Sequence, residues 1–150
     1  KRVKKGVERV EQRKWLPTIA ELIDRLSIHQ LKEVLLPEHK EKYAKEMRDL
    51  VHDINLLLKE NNYQITGEII RAIIIIAQIN AHIWNNEAKA RKGEDQDIEL
   101  LKLTHSLNSF RNKSQNFILD KFGESTRKDW KVDCLAAEFK DWDISLFHDS

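Results

Sequence analysis

The chain has 150 residues, a third of them charged, and 26 Lys and Arg against 25 Asp and Glu leave a formal net charge of +1. That length fits one domain whose core needs no metal or disulfide staple, and the charge balance excludes a global attraction to nucleic acid or anionic membrane. The single cysteine, Cys134, cannot close an internal disulfide, which points to a reducing, cytoplasmic setting.

Residues 1–15 form a basic arm in which Lys1, Arg2, Lys4, Lys5, Arg9, Arg13 and Lys14 face only Glu8 and Glu11. Trp15 is its sole aromatic residue, so it lacks the interleaved stacking groups of a nucleic-acid contact, and no nucleic-acid partner is expected. A helical body follows over 16–123 and a docking segment over 124–150, as parts of one domain.

Thr18 with Glu21 makes a capping-box pattern after Pro17, so a first helix is expected from about Thr18 to Leu36. Ile19, Leu22, Ile23, Leu26, Gln30 and Val34 form its main inward face. Asp24, Ile28, Leu31 and Leu35 form a second stripe, which places Asp24 at a seam between helices. A second helix is predicted over about 39–60, with Tyr43, Met47, Leu50, Val51, Ile54, Leu57 and Leu58 inward. Thr66 caps a third, which runs to about Arg91. Its apolar run from Ile69 to Trp84 contains Arg71, Gln78 and Asn80 and is short for a bilayer span, so it reads as a buried core helix with no membrane partner. A fourth helix is predicted from about Asp97 to Phe122, where Gly123 ends it. The fold class expected is all-α, an antiparallel four-helix bundle with a docked C-terminal helical segment.

Two helical stripes break the apolar rule. On the third helix Ile69, Ile73, Ile76, Asn80, Trp84, Glu87 and Arg91 share a face that begins as core and ends polar. On the fourth, Arg111 interrupts Leu100, Thr104, Leu107, Ser114, Ile118 and Phe122. A guanidinium in a core stripe must find an acceptor. Counting helical rise from the loop brings Asn80 level with Asn108 and Trp84 level with His105, and leaves Asp24 within about one turn of Arg111. A direct Asp24–Arg111 pair is therefore expected, with Glu87 meeting Arg91 four residues on.

The segment Asn80-x-His82-Ile83-Trp84-x-x-Glu87-x-x-x-Arg91, with Leu107-Asn108-x-x-Arg111-Asn112 downstream, resembles an uncharacterised bacterial all-helical domain family over about residues 66–122. That family carries an Asn…Trp-His-Glu-Asp…Arg helix followed by a Leu-Asn-x-x-Arg helix. This chain has Asn85, Asn86 and Glu87 where the family has His-Glu-Asp. The resemblance implies the helical fold and a polar cluster, and it supplies no reaction.

Enzyme chemistry finds thin support in the spacing. All-α nucleotide pyrophosphohydrolases of the MazG type gather several carboxylates on Mg²⁺. Only Glu21-x-x-Asp24 has a matching spacing here, with Asp49, Asp53 or Glu87 needed to complete the set. HEPN-type ribonucleases use Arg-x4-His, and Arg111-x4-Asn116 ends in Asn, which is no general base near neutral pH. The favoured reading is a non-enzymatic binding or interaction domain. Asp24, Asn80, Trp84, Glu87, Arg91, Asn108 and Arg111 line its polar cluster, with a small anionic ligand taken by the arginines. No cofactor is expected, and Mg²⁺ enters only under the hydrolase alternative. Trp130, Leu135, Phe139, Trp142 and Phe147 are too apolar for a solvated tail, so the C-terminal segment is expected to dock on the bundle or to join copies into a homo-oligomer.

Overall fold

A computed structural model describes residues 14–91, 98–128 and 144–148, with side chains described over 14–89, 100–128 and 144–148. The basic arm before Lys14, Cys134 and the large apolar residues Trp130, Leu135, Phe139 and Trp142 lie outside the described residues. The fold is all-α, built from α1 (Ile19–Leu35), α2 (Lys40–Glu60), α3 (Gly67–Arg91) and α4 (Ile98–Lys121). There is no strand among the described residues.

Local chemistry sets the helix ends. The Thr18 hydroxyl accepts the Glu21 backbone N–H at 3.1 Å, which satisfies one of the donors a helix start leaves open. The Thr66 hydroxyl caps α3 in the same way, accepting the Ile69 N–H at 3.3 Å. Beside it, hydrogen bonds from its own backbone N–H and from Thr66 hold the Glu68 carboxyl below its ordinary pKa. Gly123 ends α4 with φ +77°, a left-handed conformation that glycine adopts without a Cβ penalty.

Packing joins two hairpins, α1 with α2 and α3 with α4, and α1 is the helix that bridges them by touching both α3 and α4. The core comprises Ile19, Ala20 and Ile23 of α1, Ile69, Ala72, Ile76, Ile79 and Ile83 of α3, and Leu107, Phe110, Ile118, Leu119 and Phe122 of α4. On α4, Ser106, Ser109 and Ser114 are fully buried. Ser106 and Ser114 donate to the carbonyls of Lys102 and Phe110 one turn back, at 3.1 and 2.8 Å. Small side chains that satisfy themselves on their own helix can sit in a core without a partner across the interface.

A 3₁₀ turn at Ser145–Phe147 closes one side of the bundle. Its Leu146 enters the core, Phe147 meets Phe117 edge-on, and the Arg71 guanidinium donates to the Ser145 hydroxyl at 2.8 Å. In the connection between α2 and α3, Tyr63 stacks on Phe122 with ring centroids 4.3 Å apart and donates its hydroxyl to Glu124. Burial, with the Glu124 carboxylate second, pushes the Tyr63 phenol up to about 12.

Three expectations about the inward faces are corrected by the way α2 sits. It lies against α1 and barely reaches α3 or α4. Of its seven expected inward residues only Met47 is buried, and Val51 is exposed. On α1 the buried residues stop at Ile23, and Gln30, Val34 and Leu35 face solvent. α3, expected to be buried, is buried on one side only, because no helix among the described residues covers the flank that carries Ile70, Ile74 and Ala77. By length and composition its stretch Gly67–Lys89 could cross a membrane, the one such helix among the described residues. Its inner side nonetheless packs on α1 and α4.

Candidate functional site

The polar cluster forms where α1, α3 and α4 converge. Asn80 of α3 is 4% exposed, and its amide nitrogen donates to the Asp24 carboxylate of α1 at 2.7 Å and to the Ser27 hydroxyl at 3.2 Å. Its amide oxygen accepts from Arg111 Nη1 of α4 at 3.0 Å. Arg111 Nη2 donates to Asn108, one turn back on the same helix, at 2.6 Å. The Asn80 dipole is thus aligned between an anion and a cation, N–H end toward Asp24 and oxygen toward Arg111.

That arrangement corrects the expected Asp24–Arg111 pair. The two side chains share one network, but no carboxylate is ion-paired to Arg111 among the described residues, and Asn80 stands where the direct contact was expected. Axial register brought them to the same level. Lateral spacing between α1 and α4 left room for an amide. Arg111 therefore has two neutral oxygens as partners, and its Nε is buried with no acceptor. An unbonded buried N–H costs about 1–3 kcal/mol.

The remaining expected members lie elsewhere. Trp84, one turn beyond Asn80, is half-buried and makes no hydrogen bond to the cluster. Glu87 is exposed and is not a partner of Arg111. The Arg91 side chain lies outside the described residues, and the Glu87–Arg91 pair with it. Sequence reasoning missed Ser27, although its position three residues after Asp24 places it on the same α1 face. It also missed Asn86, which is buried with its amide nitrogen unpartnered.

The enzyme alternatives meet the geometry at two points. No group of three or more His, Cys, Asp or Glu side chains converges among the described residues, and Asp49 and Asp53 lie exposed on α2. Arg111 and Asn116 part company: Arg111 turns to Asn80, whereas Asn116 lines a cavity of about 680 Å³ with Trp15, Arg127 and Lys128. In that cavity Arg127 lies over the Trp15 ring at 5.1 Å and donates to the Leu16 carbonyl, and Lys128 is paired with Asp120 at 2.6 Å.

Comparison with protein-family models, with curated proteins and with solved structures finds no match to this chain.

Proposed function

We propose that the chain is a non-enzymatic helical binding module whose Arg111 cluster takes a small oxyanion, a phosphate or a carboxylate. One observation carries this reading: the Arg111 guanidinium is held between two amide oxygens, with no carboxylate on it among the described residues and its Nε buried without an acceptor. A half-buried cation in that setting gains most from a counter-charge, and a guanidinium fork accepts oxyanions bidentately. Asp24 stays one residue away, behind Asn80, where it orients the amide without neutralising the arginine.

Thermal unfolding against phosphate, sugar phosphates, nucleotides and dicarboxylates, with and without Mg²⁺ or Mn²⁺, tests the proposal, because a ligand of the folded state raises its Tm. The expected result is a rise with an oxyanion that is lost in Arg111→Met and weakened in Arg111→Lys, which keeps the charge and loses the fork. A rise that needs both nucleotide and metal would instead favour the hydrolase. A flat panel, or an equal response in Arg111→Lys, would leave the cluster as internal scaffolding.

A further inference from the structure

We propose that the face of α3 left open by the described residues is a self-association surface on which a second copy of this chain docks its own α3, antiparallel, about a two-fold axis near Ala77 and Gln78. Along this face Ile70 is 50% and Ile74 49% exposed, Ala77 is exposed and Ala81 half-exposed. Neighbouring apolar side chains of this size on one helix face exceed the scattered singles of an ordinary surface.

Charge decides the occupant. In a chain with a third of its residues charged, the stripe Ile70, Ile74, Ala77, Gln78, Ala81 and Asn85 holds no acid, lysine or arginine. Arg71, at its edge, is turned to Ser145. Two such faces meet without burying an unpaired charge, whereas a charged partner groove would find nothing to pair with. The Gln78 amide lies beside the axis, where it can hydrogen-bond to its own copy, and the amides of Gln78 and Asn85 are out of place in hydrocarbon.

Shape points the same way. The stripe is bulky at its N-terminal end, Ile70 and Ile74, and small beyond it, Ala77 and Ala81. Antiparallel alignment about residues 77–78 sets Ile74 of each copy over Ala81 of the other, large into small twice over, as an isologous two-fold interface requires. A helix pair alone is small against the ~1,200–2,000 Å² of a stable interface. Here the surface continues into an open groove of about 710 Å³ between α1, α2 and α3, where Leu26, Met47, Val51 and Ile73 extend it and Glu33 and Arg48 also line it.

Sedimentation of the full chain over a range of micromolar concentrations is expected to show a dimer, and Ile74→Glu to show a monomer with helical circular dichroism unchanged and a Tm that no longer rises with protein concentration. For register, Gln78→Cys in a Cys134→Ser background is expected to cross-link two copies on oxidation. Glu68→Cys is expected not to, because its two copies lie about 28 Å apart along the helix axis. A monomer at all concentrations, a dimer that survives Ile74→Glu, or cross-linking at residue 68 in place of 78 would each overturn the proposal. So would Ile74-dependent binding to lipid vesicles by a chain that is otherwise monomeric.

Discussion

Asn80 and Arg111 share a 3.0 Å hydrogen bond that links α3 to α4, and the other end of the same amide holds Asp24 of α1. Three helices are thereby keyed at one height by one side chain. Asn80→Leu would strip a partner from a guanidinium and a carboxylate together, and urea denaturation should show a loss of about 2–4 kcal/mol.

The relay also predicts a pattern of coupling. Double-mutant cycles should give a larger coupling energy for Asn80 with Arg111 than for Asp24 with Arg111, since only the first pair is bonded directly. A larger Asp24–Arg111 term would mean that the two charges meet in solution.

Tyr63 makes stability depend on alkaline pH. Its folded-state pKa, pushed up to about 12, lies above the ordinary value of 10.0, so the contribution is complete below pH 10. It is lost as pH rises from about 10 to 12, because the unfolded chain ionises first. Wild type should lose stability over this window more steeply than Tyr63→Phe, measured by denaturant midpoints at each pH.

Two glycines should respond in opposite directions to alanine. A Cβ on either meets nothing within 4 Å, so space decides neither case. Gly123 sits at φ +77°, and Gly123→Ala should cost about 1 kcal/mol in conformational strain. Gly67 opens α3 without a positive φ, and Gly67→Ala should stabilise by about 0.4–1 kcal/mol through the unfolded state, read as a rise in Tm.

Much of this architecture is written locally. Thr18, Thr66 and Gly123 mark their helix ends because capping and a left-handed turn are properties of a few adjacent residues. The members of the cluster are legible for similar reasons: Asn80 and Arg111 break apolar stripes, where a polar side chain must find a partner, and helical rise brings Asn108 level with Asn80.

The sequence by itself determined the helices, their order and their axial register, since rise per residue and hairpin loops fix heights to within a turn. Only the tertiary structure decided the lateral arrangement. Whether Arg111 meets a carboxylate or an amide depends on helix separations that no periodicity encodes, and Asn80 filled the gap. Whether an apolar residue is core depends equally on which neighbour covers it. Ile70, Ile74 and Val51 have the spacing of buried residues and stay exposed, because α2 leans on α1 and does not cover the flank of α3.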